Sequence, residues 1–283
     1  MDLGLAGKRA LVTGGSRGLG RAVARELSTE GCDVVVSARS EDRLRQAAGE
    51  IAAETGGRVE PVAIDVTDAE SIRACVEACA EMLGGIDILV SAAARTGGQG
   101  EEADVYASAS EQRMITDFKE KVVGGLRLAR SVEPHMRNAG GGRIVLFSGG
   151  AGRVRGGLIS AGTRNRATNH LAVSLANALG PYGISCIAVA PSFAVTERQM
   201  DAHRRAADEA GIELDEYIAD RARKTTVMHR LVMAQDLAKV VCFLCSPVAW
   251  PVNAATIELA GGSSPDIHYE LAPHPPWEPG TAI

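Results

Sequence analysis

The chain has 283 residues, of which 46% are hydrophobic and 23% are charged, a composition typical of a globular protein that excludes wholesale disorder. The net charge of −5, without a run of lysine and arginine residues, argues against a nucleic-acid-binding protein. The apolar runs are too short to cross a bilayer and the first residues lack a secretory signal pattern, so we expect a cytoplasmic protein.

Short apolar segments alternate with helical segments along most of the chain. The predicted strands are Lys8–Thr13, Asp33–Ala38, Arg58–Val66, Asp87–Ala92, Arg143–Phe147, Ile184–Ala190 and Ala255–Leu259. The predicted helices are one that contains Leu19, Val23 and Leu27, and those at Glu41–Glu54, Asp68–Leu83, Ser110–Arg137, about 161–180 and Gln235–Cys245. Apolar strands that alternate with helices predict a doubly wound parallel sheet in a three-layer α/β/α fold.

Two regions do not follow this alternation. The charged segment at about 197–232 is predicted to be a helical lid inserted into the domain. The proline-rich residues 263–283 are predicted to form a C-terminal extension without regular structure. We therefore expect one domain over residues 1–262, followed by the extension.

The six cysteines do not show a pattern typical of a metal site. Cys75 and Cys79 fall among apolar residues at helical spacing, and Cys242 and Cys245 have no second Cys or His pair at zinc spacing. Because unpaired cysteines are among the most buried residue types, we expect them in the core and expect no metal ion.

A glycine-rich turn links the first strand to the first helix. It consists of Thr13, Gly14, Gly15, Ser16, Arg17, Gly18, Leu19 and Gly20. Glycines at this point allow the backbone to approach a pyrophosphate, which binds the positive N-terminal end of the helix. The turn therefore predicts a dinucleotide site at the start of the chain.

The end of the second strand indicates which dinucleotide binds. An NAD enzyme usually has an acidic residue there for the ribose 2′-hydroxyl, but here Ala38 is followed by Arg39 and Ser40. Arg39, together with Arg17 from the glycine turn, can bind a 2′-phosphate through charge-assisted hydrogen bonds. The sequence favours NADPH over NADH as the cofactor.

These features and several later motifs resemble the classical short-chain dehydrogenase/reductase family over roughly residues 8–262. The later motifs are Asp65-Val66, Gly142–Val145, Pro181–Ile184, Pro191–Thr196 and Leu259–Gly262. The resemblance implies a Rossmann-type fold and an NADP(H)-dependent oxidoreductase. Besides the residues named above, it implies cofactor contacts at Asp65, Val66, Ser91, Ala92, Ala93, Pro191, Ser192, Ala194 and Thr196.

The catalytic positions depart from the family pattern, which is a serine, a YxxxK segment and a helper asparagine on the preceding long helix. Ser148 matches the serine. Counting back from Ser174-Leu175-Ala176 puts Ala161 at the tyrosine position and Asn165 at the lysine position, while Lys121 replaces the helper asparagine. Three of the four catalytic positions are therefore replaced, and the chain is identified as an atypical member that lacks the YxxxK pair.

The lost groups limit the chemistry. A positioned general acid gives about 10²–10⁴-fold acceleration, so we expect ordinary ketone reduction to be slow. An iminium ion accepts hydride without a proton. Its hemiaminal precursor loses hydroxide as the nitrogen lone pair forms the C=N⁺ bond. We expect Ser148 or Thr163 to hydrogen-bond that hydroxyl and Asn165 to hold the ribose. Lys121 either takes over ribose or proton-relay duty or points outward.

The leading hypothesis is an NADPH-dependent reductase of an iminium or hemiaminal carbon in an alkaloid-like or antibiotic-type secondary metabolite, serving its tailoring or detoxification. One alternative is reduction of an activated C=C bond, or of a ketone with a substitute acid. A second alternative is a non-redox pseudoenzyme, cyclase or isomerase that retains NADP(H) as a scaffold.

The resemblance also implies a homodimer or homotetramer formed through the two long helices. On the second of these helices we expect small and apolar residues to form the contact face. They are Ala167, Leu171, Ala172, Leu175 and Ala178.

Overall fold

The computed structural model describes residues 2–93, 106, 108–153, 158–192 and 194–263. Seven parallel strands in these residues form one sheet in the order β3-β2-β1-β4-β5-β6-β7. The strands are β1 (Arg9–Thr13), β2 (Asp33–Ala38), β3 (Val59–Ala63), β4 (Ile88–Ser91), β5 (Gly142–Phe147), β6 (Ile184–Pro191) and β7 (Thr256–Leu259).

Helices follow the strands as the alternation predicted. They are α1 (Gly18–Thr29), α2 (Glu41–Thr55), α3 (Ala69–Leu83), α4 (Glu111–Phe118), α5 (Gly124–Asn138), α6 (Ile159–Leu179), α7 (Glu197–Ala210), α8 (Leu214–Thr225) and α9 (Ala234–Cys245). A π-helical segment, Lys119–Val123, joins α4 to α5, so the long helix predicted over Ser110–Arg137 contains a π-helical interruption. Such π segments are often found at functional sites.

The core lies on both faces of the sheet. Alternate strand residues, such as Val34 and Val36, pack with α1, α2 and α9 on one face. Their neighbours, such as Leu11 and Val35, pack with α3, α5 and α6 on the other face. The chain is therefore a Rossmann-type three-layer α/β/α fold, and the fold predicted from the alternation is confirmed.

The strand order reverses between β1 and β4, since β2 and β3 lie on one side of β1 and β4–β7 on the other. In open α/β sheets, ligands bind outside the carboxyl ends of the strands at such a switch point. The glycine turn follows β1 directly, so this topology places it at the predicted binding edge.

Several details differ from the prediction. Ala172 and Leu175 are buried in the core of this chain, so they cannot belong to the subunit-contact face that we expected of them. β3 ends at Ala63, before Asp65 and Val66. The predicted lid contains α7 and α8. Apart from Ser263, the predicted extension 263–283 lies outside the described residues.

All six cysteines lie within the described residues, and each is buried with a free thiol. Burial raises the pKa of Cys75 to about 11 and that of Cys79 to about 12. Among the described residues, no cluster of three or more His, Cys, Asp or Glu side chains could hold a metal ion. Of the described helices, none has the length and apolar character needed to span a membrane.

Candidate active site

The glycine turn packs backbone against backbone. Gly14 has φ +74°, in the region that favours glycine, and a Cβ on it would lie 2.9 Å from the Ala92 backbone. A Cβ on Gly20 would overlap the Gly14 carbonyl oxygen. Gly14 N also donates to Ser37 O at 2.7 Å. The turn can form only because glycine has no side chain, and the same property lets the backbone approach a pyrophosphate.

The N-terminus of α1 fits an anionic ligand. Its first turn contains no acidic residue, and the N-cap residue Arg17 makes no side-chain capping bond. By contrast, the first turn of α2 contains Glu41 and Asp42. Because the first N–H groups of a helix and its dipole attract negative charge, α1 presents a suitable end to a phosphate.

The residues predicted for the adenosine end lie beside the ends of β2 and β3. The Arg39 side chain is 58% exposed, and its Nη1 lies 3.9 Å from Glu120 Oε1. Asp65 accepts hydrogen bonds from Thr67 N and Oγ1, both at 2.8 Å, and these bonds lower the pKa of its carboxyl group. Val66 is buried, with its carbonyl oxygen next to Gly124 of α5.

The loops after β4 and β6 close the same edge. Ala92 N donates to Thr13 O at 3.2 Å, and Ala93 N donates to Thr13 Oγ1 at 3.4 Å. A Cβ on Gly18 would lie 3.5 Å from the Thr196 methyl group. Thr196 also forms a capping box with Gln199 at the start of α7.

The remaining predicted cofactor residues follow the same strand ends. Ser91 ends β4, Pro191 ends β6, and Ser40 is the N-cap residue of α2. A Cβ on Gly150 would lie 2.9 Å from Ser192 Oγ. Ala194 is buried, while Ser16 and Leu19 are partly exposed in the glycine turn. The structure therefore brings the predicted cofactor residues to one edge of the sheet.

Three of the four predicted catalytic residues meet at the π-helical segment. The Lys121 ammonium donates to the Ser148 carbonyl oxygen and to Asn165 Oδ1, both at 2.7 Å. These partners come from the end of β5 and from α6, respectively. Lys121 therefore points into this site, and the alternative of a lysine that points outward was wrong.

The charge on Lys121 is disfavoured by its surroundings. Burial lowers its pKa most, the nearby positive charge of Arg164 lowers it as well, and Asp117 opposes both effects, with a resulting pKa of about 7. A group with a pKa near the working pH can both hold and release a proton. At neutral pH the site therefore contains a titrating amine.

A buried polar network, which the sequence reading did not include, lies beside Lys121. Arg164 forms an ion pair with Asp117, and Ser160 Oγ donates to Asp117 Oδ2 at 2.7 Å. All three side chains are buried. Arg164 directly precedes Asn165, and Asp117 lies one turn before Lys121. The available sequence signal was a charged residue close to each of two positions that the sequence predicts to be catalytic, Lys121 and Asn165.

Ser148 and Thr163 differ from what we expected. The Ser148 hydroxyl is buried and donates to Val189 O at 3.1 Å, so its oxygen is left to accept rather than donate. Thr163 is exposed and lies about 200° around α6 from Ala161. The structure does not bring Thr163 to the site, because a helix turns residues two apart to opposite sides.

Ala161 and Asn165 lie four residues apart on α6 and are both buried. Residues at this spacing are neighbours on a helix surface. The methyl group of Ala161 therefore occupies the place next to Asn165 where the resemblance expects a tyrosine. Asn165 packs under residues 149–152, since a Cβ on Gly152 would lie 2.9 Å from Asn165 Cβ.

Comparisons with known proteins identify the family of the chain. The short chain dehydrogenase family model matches residues 8–207. The chain is 31% identical to the short-chain reductase protein NovJ of Streptomyces niveus, over 89% of this chain and 92% of that protein. It is similar to the solved structure of L-sorbose reductase from Gluconobacter frateurii complexed with NADPH and L-sorbose, with a TM-score of 0.84, 28% identity and coverage of 93% and 98% of the two chains.

A second solved structure, a single-residue variant of actinorhodin polyketide ketoreductase with NADPH, matches with a TM-score of 0.78, 26% identity and coverage of 93% and 98%. The family model spans more than half of the chain, and the NovJ match exceeds 30% identity over most of both sequences. The chain therefore belongs to the short-chain dehydrogenase family, and it is an NAD(P)-dependent oxidoreductase.

Proposed function

We propose that this protein is an NADPH-dependent reductase whose acceptor carbon arrives already activated. The best candidate is an iminium or hemiaminal carbon of an alkaloid-like or antibiotic-type secondary metabolite, reduced in its tailoring or detoxification. The observation that carries the proposal is Ala161, which is buried beside Asn165 and brings no phenol to protonate an alkoxide.

The residues present fit NADPH. The cradle around Gly14 and Gly20 and the uncapped start of α1 would hold the pyrophosphate. The exposed Arg39, with Arg17, would hold a 2′-phosphate. When bound, NADPH supplies a hydride. Solved relatives contain either NADPH or NADH, so the choice of NADPH rests on Arg39 and Arg17 at the adenosine end.

The chain's own groups on the substrate side suit a cationic or polarised acceptor. The Lys121 amine is partly neutral at neutral pH, because its surroundings, chiefly burial, lower its pKa to about 7, so it repels a cation less than an ordinary lysine does. Asn165 and the Ser148 oxygen offer neutral dipoles. An iminium carbon therefore meets dipoles and a weakly charged amine instead of a full positive charge.

A specific observation also favours the second candidate, reduction of a ketone or an activated C=C bond with a substitute acid. The Lys121 ammonium lies where it contacts two elements of the site, and a positioned ammonium can donate a proton. The name of the similar actinorhodin polyketide ketoreductase agrees with a role in secondary metabolism.

The test is NADPH consumption with three probes: an N-methyl dihydroisoquinolinium salt, a decalone and a cyclohexenone. We expect the iminium salt to be reduced fastest. Faster reduction of the decalone or the cyclohexenone contradicts the leading proposal and selects the second candidate. NADPH binding by fluorescence without turnover of any probe contradicts both and leaves the cofactor as a scaffold.

We also propose a homodimer or homotetramer formed through the long helices. Ile115 and Phe118 of α4 and Val173 of α6 are apolar and exposed in the single chain, and such side chains suit a subunit contact. Light scattering of the purified protein is expected to give a dimer or tetramer mass. A monomer mass at working concentration contradicts this assembly.

A further inference from the structure

The amine and the amide of this site have exchanged positions relative to the family pattern. The resemblance expects an asparagine at position 121 and a lysine at position 165, whereas the chain has Lys121 and Asn165. Their side chains contact each other at 2.7 Å. The pair of functional groups is therefore retained, but the amine now extends from the π-helical segment instead of α6.

This placement leaves the amine able to serve a substrate. An ammonium has three N–H donors, and two of them are directed at Ser148 O and Asn165 Oδ1. Within the described parts of the chain, the structure shows no third acceptor for Lys121. The third donor is therefore available to a ligand, and Ala161 lies one helical turn from Asn165, which accepts a hydrogen bond from Lys121.

Burial and the charges of Arg164 and Asp117 explain why Lys121 can release a proton, whereas two other charged groups nearby have partners of their own. From α6 comes Arg164 and from α4 comes Asp117, which form an ion pair with each other. In its own segment, Glu120 is paired with Arg39. From α5, Arg127 is directed at Thr67 O. The net effect of burial, Arg164 and Asp117 lowers the pKa of Lys121 to about 7.

We propose that Lys121 is the proton donor of this site and gives its proton to an oxygen on the acceptor carbon. Arg164 and Asp117 are positioning residues, whose opposite charges control how readily Lys121 gives up that proton. The inference rests on the proposed reductase function and names the substrate class: a carbon that bears an oxygen, either a hemiaminal or a ketone.

The proton from Lys121 goes to the substrate oxygen with both kinds of substrate. With a hemiaminal, an N–H bond of Lys121 breaks, the proton joins the departing hydroxyl, and the C–O bond breaks to release water. The substrate nitrogen's lone pair forms the C=N⁺ bond, which is then reduced by the hydride that NADPH supplies. With a ketone, the carbonyl carbon would take the hydride that NADPH supplies, the C=O π bond would break, and the oxygen would take the proton from Lys121. In both cases Lys121 becomes a neutral amine.

The first test measures the proton on Lys121 without any turnover. Brief acetic anhydride labelling of the cofactor-free protein at a series of pH values, read by mass spectrometry, is expected to show a labelling midpoint near 7 at Lys121. Lys239, which is exposed on α9, serves as the internal reference. Arg164→Gln is expected to raise the midpoint and Asp117→Asn to lower it, since they remove charges of opposite sign.

The second test uses the pH profile of kcat/KM for the decalone, which needs a proton, and for the N-methyl dihydroisoquinolinium salt, which needs none. Decalone reduction is expected to fall about tenfold per pH unit above the Lys121 midpoint, and reduction of the iminium salt is expected to lack this limb. Lys121→Met is expected to cost the decalone reaction about 10²–10⁴-fold, at least tenfold more than the iminium reaction.

Lys121→Arg is the matched control, since a guanidinium keeps the charge but does not release its proton; it is expected not to restore decalone reduction. Four results overturn the role of Lys121 while the reductase function stands. They are a decalone kcat/KM that does not change with pH, an equal loss on both probes in Lys121→Met, a labelling midpoint of Lys121 far above 7, and decalone reduction restored by Lys121→Arg. Absence of turnover on every probe overturns the reductase function and the role of Lys121 with it.

Discussion

The glycine turn at residues 13–20 and the catalytic corner formed by the π-helical segment and α6 belong to one site but are built in different ways. In the turn, backbone atoms of Gly14, Gly20 and Ala92 lie in direct contact. In the corner, the Lys121 side chain donates to the Asn165 side chain and to the Ser148 backbone carbonyl. A backbone contact tolerates no added atom, whereas side chains can exchange positions as long as their contact remains. This difference fits a conserved type of turn beside catalytic positions that the sequence predicts to be replaced.

The largest expected effect concerns the ion pair that supports the corner. Asp117→Leu removes the carboxylate that pairs with the buried Arg164, and breaking a buried pair costs about 3–5 kcal/mol. Urea unfolding is expected to show this loss of stability, and the double variant with Arg164→Met is expected to recover most of it. Asp220→Asn, in an exposed pair with Lys224, is the control and is expected to cost at most about 1 kcal/mol. A small effect of Asp117→Leu contradicts the importance of the pair.

The turn is tested by Gly20→Ala. The added Cβ overlaps the Gly14 carbonyl oxygen, and overpacking of this kind costs about 1–3 kcal/mol. We expect lower unfolding stability and weaker NADPH binding in a fluorescence titration. Gly49→Ala is the control, because Gly49 has open space on α2 and alanine favours helices. Equal NADPH affinity in both variants contradicts the prediction that the backbone of the glycine turn binds the pyrophosphate.

Arg39 is the side chain that we expect to bind the 2′-phosphate of NADPH. Arg39→Ala removes a charge-assisted bond to a 2′-phosphate, worth about 1.5–3 kcal/mol, so the Kd for NADPH is expected to rise about 10–100-fold. The Kd for NADH is expected to change little. Arg43→Ala, also exposed near the start of α2, is the control. A parallel loss of both cofactors means that Arg39 does not read the 2′-phosphate.

The corner also predicts a pH dependence of stability. Lys121 has its folded-state pKa lowered from 10.5 to about 7, so between these values the unfolded chain binds more protons than the folded one. Stability of the wild type relative to Lys121→Met should therefore rise with pH above about 7, by at most about 1.4 kcal/mol per pH unit. Urea unfolding of both proteins at several pH values measures the slope. A pH-independent difference between them argues against a titrating lysine.

The smallest effect is expected from restoring the family residues. Ala161→Tyr combined with Asn165→Lys places a second amine beside Lys121 and removes the amide that accepts its hydrogen bond. We expect less than about a threefold gain in kcat/KM for the iminium salt, because that reaction needs no acid. A large gain on this probe indicates that the tyrosine position still governs the reaction.

The fold was largely predictable because its signals are local. Strand bounds such as Asp33–Ala38 were confirmed, since a run of apolar residues between turns marks a buried strand. The contact face proposed on α6 was partly wrong, because Ala172 and Leu175 pack into the chain's own core. An apolar residue on a helix does not reveal whether its partner is the sheet or another subunit.

The sequence by itself determined the parallel α/β architecture and the glycine turn, and it predicted the replacement of residues at the catalytic positions, because each depends on neighbouring residues or on order along the chain. Only the tertiary structure decided that Lys121 points inward, that it contacts Asn165 across 44 positions, and that Arg164 and Asp117 lie beside it. The physical reason is that the proton affinity of a lysine depends on burial and on nearby charges, and folding brings these from separate helices.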